Sequence, residues 1–157
     1  MFVRAALIFV LLSGSAGAAG DQSYQNPRFG YWIEIPKEFK IASAADNNDG
    51  ITLESLNGKA KLLVWGNYIM EKNFKAESDR QRKFYVDDGW RISYEKRRPS
   101  WVSFSGARDH LILYVREIAL CDGAMGNFSL EYPEADQKIY GDVIEQLLKS
   151  FVPLGHC

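Results

Sequence analysis

Residues 51–66 read ITLESLNGKAKLLVWG. Two apolar, partly β-branched runs flank Asn57-Gly58, and Asn-Gly between such runs is the strongest short-range signal for a β-hairpin. The pair predicts a type I′ turn at Asn57-Gly58, and with it an antiparallel sheet as the scaffold of the chain. Upstream, FGYWIEIP alternates, with Tyr31, Ile33 and Ile35 on one side and Trp32 and Glu34 on the other. That period of two predicts a strand ended by Pro36. The polar GDQSYQNPR before it reads as an aperiodic lead-in, and SAADNNDG (43–50) as a loop of turn formers.

Downstream, NFKAESDRQRKFYVDDG changes period. Phe74, Ser78, Arg82 and Tyr85 fall on one face of a charged helix that Gly89 ends. Strand-like runs follow in WRISYEKR, SWVSFSG, DHLILYVREIALC and GNFSLEYP. In the first, alternation places Trp90, Ile92 and Tyr94 on one face and Arg91, Ser93 and Glu95 on the other. Turns are expected at residues 97–100 and 106–109. The segment PEADQKIYGDVIEQLLKSF is an amphipathic helix, with Pro133 at its start and Glu134 and Asp136 in its first turn. Ile139, Val143, Leu147 and Phe151 form its stripe, broadened by Tyr140, Ile144 and Leu148. The order ββ(β)–α–ββββ–α implies an α+β fold: an antiparallel six- or seven-stranded sheet with a helix on each face.

The first 20 residues, MFVRAALIFVLLSGSAGAAG, carry one cation, Arg4, then an apolar run and the small-x-small pattern Ala16-Gly17-Ala18. This is the pattern of a secretory signal peptide over residues 1–19. It leaves residues 20–157 as a single globular domain in an exported, periplasmic protein. The run is too short for a membrane span, which takes about 20 residues. The whole chain holds 19 basic and 20 acidic residues. Loss of Arg4 leaves 18 basic residues and a formal charge of −2, which argues against a nucleic-acid partner.

The two cysteines are Cys121 and Cys157, and the two histidines His110 and His156. In an oxidising compartment a Cys121–Cys157 disulfide is the expected arrangement. A metal site using His156, or free thiols, are the alternatives, without a CxxC or HxxxH spacing to support the metal. DNNDG (46–50) has the composition of a calcium loop, but its spacing misses the EF-hand pattern and the final bidentate glutamate. His110 lies beside Asp109, with Ser103 and Ser105 on the preceding run, and no GxSxG surrounds either serine. Glu131 with Glu134, or Asp87 with Asp88, are the acid pairs a hydrolase could use. GxGxxG, P-loop and HExxH patterns are lacking, so no cofactor is expected. EKRRPS (95–100) puts three cations on a hairpin turn, and Arg97 and Arg98 beside Trp101 have the composition of a partner-binding interface. Trp32, Trp65, Trp90 and Trp101 all fall in predicted strands, where core packing is the expected role and an exposed aromatic patch the alternative.

Taken together, YQNPRFGYWIEIP, NDGITLESLNGKAKLLVWG and NFSLEYPEADQKIYGDVIEQLLKSF resemble the PsbP/Mog1-like fold. They are most similar to a group of small exported bacterial proteins of unknown function. In those, a Y-x-N-x-R-F-G strand leads to a DG…DG hairpin ending in Trp-Gly, and a late helix precedes a final cysteine. Here Asn57-Gly58 stands at the hairpin, which keeps the turn chemistry. The resemblance implies an accessory or partner-binding protein without a shared catalytic centre, and some periplasmic immunity proteins have similar architectures. The expected function is therefore a non-enzymatic periplasmic module that docks a protein partner, an envelope component or a toxin. A small periplasmic hydrolase using acidic residues or His110 is the alternative.

Overall fold

A computed structural model describes residues 22–155, so the signal peptide, His156 and Cys157 lie outside the described residues. Ten strands and two α-helices run in the order β1 (Gln22–Asn26), β2 (Tyr31–Ile35), β3 (Phe39–Ala44), β4 (Gly50–Ser55), β5 (Lys61–Tyr68), α1 (Phe74–Asp87), β6 (Arg91–Arg98), β7 (Trp101–Arg108), β8 (Leu111–Ala119), β9 (Ala124–Pro133), α2 (Gln137–Ser150) and β10 (Val152–Pro153). Seven strands form one antiparallel sheet in the order β3-β4-β5-β9-β8-β7-β6, and β1-β2-β10 form a small second sheet. The fold is the expected α+β arrangement, but the FGYWIEIP strand, β2, pairs with β1 and β10 in the small sheet instead of the main one, and an unexpected strand, β3, takes the edge of the main sheet. β1 occupies the stretch that reads as an aperiodic lead-in. Its polar residues are held by pairing to β2, from Gln22 opposite Ile35 to Asn26 opposite Tyr31.

The larger core lies on one face of the main sheet. Leu62 and Val64 of β5 and Phe128, Leu130 and Tyr132 of β9 meet Tyr31, Ile33 and Ile35 of β2, with Tyr140, Val143 and Leu147 of α2. The alternation of Tyr31, Ile33 and Ile35 is thus used as expected, and Trp32 is half-buried on the other side of the strand. Ile139 departs from expectation at 58% exposed. A 3-10 turn at Glu134–Asp136 delays the helix to Gln137, and Pro133 closes β9 rather than opening α2. The buried stripe therefore runs through Tyr140, Val143 and Leu147.

The smaller core is on the opposite face, under α1. Trp90, Val102, Phe104, Leu113 and Val115 pack there with Phe74 and Tyr85. Asn73 caps the helix by accepting from the Ala76 amide at 2.9 Å, and Gly89 at φ +92° ends it.

Two turns exchange their expected chemistry. At residues 55–60, Asn57 does not adopt the positive φ that a type I′ turn needs, and only Gly58 does. The Gly58 amide donates to the Ser55 carbonyl at 2.8 Å, and Asn57 Oδ1 accepts from the Lys59 amide at 3.0 Å. Five residues, 56–60, join β4 to β5, a length built around a turn of type I character, here followed by one left-handed residue. The two-residue type I′ geometry sits instead between β7 and β8, where Asp109 (φ 48°) and His110 (φ 65°) are both left-handed and Arg108 pairs with Leu111. The turn expected at 106–109 thus lies two residues further on.

Candidate functional site on the β6–β7–β8 face

β6 is the edge strand and carries a register shift between Ile92 and Tyr94. Ser93 is the extra residue of a β-bulge, and one inserted residue reverses every side chain beyond it. Trp90 and Ile92 turn toward α1, but Tyr94 faces away and is 48% exposed, against the simple alternation. Past the bulge, Glu95 and Arg97 face α1, whereas Tyr94, Lys96 and Arg98 face the opposite side.

Arg97 is consequently structural. Its guanidinium contacts Glu95 and lies 2.8 Å from Asp79 of α1, so it does not join Arg98 and Trp101 in one interface as expected. Arg98 and Trp101 do come together, with the Arg98 guanidinium 5.8 Å from the indole centroid. What the sequence reading missed is Arg116 of β8, stacked over the same indole at 3.9 Å.

The register builds the site as four cross-strand rows on one face. Arg91 pairs with Ala107 and Ala107 with Ile112; Tyr94 with Ser105 and Ser105 with Tyr114; Lys96 with Ser103 and Ser103 with Arg116; Arg98 with Trp101 and Trp101 with Ile118. Between the long side chains of β6 and β8, Ala107, Ser105 and Ser103 of β7 leave a shallow trough that Trp101 closes at one end, with Ser103 buried beneath Arg116. Arg116 Nη1 donates to Ser103 Oγ at 3.1 Å, which fixes the guanidinium over the indole. α2 packs chiefly on β2 and touches β8 and β9, and Trp101, Ile112 and Tyr114 of this face lie against the core it covers.

Charge is segregated across the sheet. Arg91, Lys96, Arg98 and Arg116 take part in none of the ion pairs among the described residues. Glu95 of β6 and Glu117 of β8 both point toward α1. Desolvation pushes the Arg116 pKa below its ordinary value, and the groups that oppose this are Tyr114 and Tyr94 rather than a carboxylate. Lys96, Arg98 and Arg116 thus cluster around Trp101 with no carboxylate paired to them among the described residues, an arrangement whose chemistry suits an anion. On the α1 side of the sheet, beneath the β6–β7 turn, a cavity of about 280 Å³ is lined by Phe74, Lys75, Arg97, Arg98, Pro99 and Val102.

The other candidates resolve differently. His110 is exposed at the tip of a hairpin. Ser103 lies five strand positions before Arg108, roughly 16 Å away at about 3.3 Å per residue, and is held by Arg116. Asp109, His110, Ser103 and Ser105 are therefore not assembled into a triad. Asp88 is engaged by Arg108, and Asp87 by Lys83, so neither is a free partner for the other. In the DNNDG loop, Arg28 donates to the Asn47 carbonyl and pairs with Asp49, so a guanidinium occupies the oxygens a cation would use. Trp90 is core at 2% exposed, whereas Trp32, Trp65 and Trp101 are half-buried. Among the described residues no helix is long and apolar enough to cross a membrane. Cys121 follows β8, but its expected partner Cys157 lies outside the described residues.

No protein-family model and no curated protein matches this chain. Among solved structures, the solution structure of cyanobacterial PsbP (CyanoP) from Synechocystis sp. PCC 6803 is similar at a TM-score of 0.67 and 15% identity, covering 89% of this chain and 96% of that one. The chain has a PsbP-like fold.

Proposed function

We propose that this protein is a non-catalytic, periplasmic binding module whose β6–β7–β8 face receives an acidic segment of a protein partner, either an envelope component or a toxin that it neutralises. The observation that carries this reading is Arg116, stacked on Trp101 at 3.9 Å and tied to a serine rather than a carboxylate. A guanidinium held this way is ready for bidentate capture of a carboxylate, and its ring platform supplies a desolvated anchor. Edge-strand addition to β6 is a poorer fit, because the bulge and the cations on that strand are features that blunt strand edges. The PsbP-like fold and the signal-like N-terminus support an exported accessory protein, and a Cys121–Cys157 disulfide would tie down its C-terminal tail.

Titration of the 15N-labelled protein with a glutamate-rich decapeptide and with its glutamine counterpart tests the proposal. Amide shifts should concentrate at residues 94–98, 101–105 and 114–116 for the acidic peptide alone and weaken with added salt. Arg116→Met together with Arg98→Gln should lower the affinity at least tenfold, whereas Arg97→Gln should leave it unchanged. Shifts mapping elsewhere, or binding indifferent to the double substitution, would overturn the assignment. Cross-linked capture from the cell envelope, compared between the wild type and the double variant, then says whether the partner is a toxin or an envelope component.

A further inference from the structure

Beneath α1, on the face opposite the trough, three acceptor oxygens are buried without a well-formed hydrogen bond, the Ser78 hydroxyl being the neutral donor nearest Glu117. They are Oε1 and Oε2 of Glu117 and Oδ1 of Asn127. Both side chains are fully buried. The two residues are direct partners across β8 and β9, so their side chains lie on one face with Cβ atoms about 5 Å apart. The orientation of the Asn127 amide is set by its surroundings. Its Nδ2 donates to Asn67 Oδ1 at 2.8 Å, and Gln81 Nε2 donates to the same oxygen at 3.2 Å. Reversing Asn127 would set two carbonyl oxygens against each other.

An unsatisfied buried acceptor costs roughly 1–3 kcal/mol, and more when it is charged. Ser78 has one hydroxyl proton to offer, so three such oxygens require a further donor. The charged groups around Glu117 do not supply one. From α1 it faces Glu77 and Ser78, and from β6 Glu95 and Arg97; Tyr85 of α1 also feels its charge. Two of these are acids. Arg97 is shared with Asp79 and Glu95, and β7 presents the apolar Val102.

We propose that Glu117 and Asn127 form a buried proton-binding site. A proton taken from solvent forms an O–H bond on the Glu117 carboxylate and is donated to Asn127 Oδ1, which seats α1 on the sheet. Release of that proton leaves an ionised carboxylate under the helix and loosens it. Burial agrees with this geometry, since it raises the Glu117 pKa from 4.5 to about 7, with Ser78 and Arg97 opposing and Glu77 and Glu95 reinforcing. Because the folded-state value is the higher one, the proton's contribution to stability is complete below about pH 4.5. It is lost as pH rises through about 7. The folded chain then binds this proton on the order of 100-fold more tightly than the unfolded chain.

Carbon-detected NMR of the folded wild-type chain tests the proposal. One glutamate carboxyl resonance, absent in Glu117→Gln, should titrate near neutrality, and the Asn127 side-chain NH2 signals should move with the same midpoint. Thermal unfolding should weaken from pH 5.5 to 8.5 in the wild type, and this dependence should be much reduced in Glu117→Gln, whose amide keeps a donor for Asn127 Oδ1. A Glu117 carboxyl already ionised at pH 5.5, or an undiminished pH slope in Glu117→Gln, would overturn it. If Glu117→Gln does not fold, the wild-type carboxyl titration and the coupled Asn127 signals decide alone.

Discussion

Gly66 tests how the two sheets are held together. It lies on β5 opposite Gly126, where the β1–β2 turn settles on the main sheet. A Cβ built at Gly66 would lie 2.3 Å from Cδ2, 2.4 Å from Cγ and 2.7 Å from Cβ of Phe29. The last distance matters most, because a side-chain rotation cannot move a Cβ. The whole turn would have to shift, yet the Gly30 amide is bonded to the Asn26 carbonyl at 2.9 Å and the Phe29 amide to Asn26 Oδ1 at 3.0 Å. Phe29 is 6% exposed and packs edge-on against Tyr68 at 5.2 Å. Full truncation of a buried phenylalanine costs about 3–5 kcal/mol, and overpacking typically costs about 1–3 kcal/mol. Gly66→Ala should therefore destabilise by about 2–4 kcal/mol in urea unfolding. Alanine's better backbone entropy in a strand returns about 0.5–1 kcal/mol at most.

A double-mutant cycle isolates the cause. If the cost arises from Phe29, then Gly66→Ala introduced into Phe29→Gly, which removes the Cβ as well as the ring, should cost less than about 1 kcal/mol, a coupling of roughly 2 kcal/mol. Equal cost in both backgrounds, or a near-neutral Gly66→Ala alone, would refute the close approach as the reason for glycine.

Two further predictions concern the tail and the β7–β8 turn. If Cys121 and Cys157 are joined as proposed, the oxidised protein should be about 2 Da lighter than the reduced form by mass spectrometry. Cys121→Ser should then cost about 2–5 kcal/mol of stability without altering partner binding at the trough. His110→Gly should raise stability by roughly 0.5–1 kcal/mol in the same unfolding assay, because a left-handed non-glycine residue at an exposed turn is strained. A hydrolytic activity of the wild type abolished by that substitution would instead return His110 to the active-site role that its position argues against.

The sequence reading succeeded where a local pattern coincides with burial. The 51–66 hairpin, the Tyr31–Ile33–Ile35 alternation and the Val143–Leu147 stripe each place apolar residues on one face, and each is buried. It failed where one residue changes the register. Nothing in RISYEKRR marks Ser93 as a bulge, and without it Arg97 and Arg98 cannot be assigned to opposite faces. Arg116 escaped for a related reason. It sits 15 residues beyond Trp101, and only the β7–β8 register, fixed by the tight Asp109-His110 turn, carries it over the indole. β3 was obscured because only Phe39 of its six residues is buried, so an edge strand looks like loop.

Arg116 and Glu117 are consecutive on β8, and together they show where this protein departs from what stability alone would select. The cation faces the trough with no ion-pair partner among the described residues, and the acid is buried with only the Ser78 hydroxyl as a neutral donor beside it. Turning the chain by one register step would not help, since it would bury the guanidinium under α1 and drive Val115 to the surface. Neutral residues at both positions would satisfy the fold better, because an unpaired buried charge costs several kcal/mol and clustered cations repel. Folded proteins tolerate such local violations mainly at functional positions. Two of them, back to back on the strand that separates the two cores, tie the trough and the proton site to one rigid element. A helix loosened on one face would then act on the platform of the other through β6, where Arg97 is held by Asp79 of α1 and Arg98, the next residue, leans on Trp101.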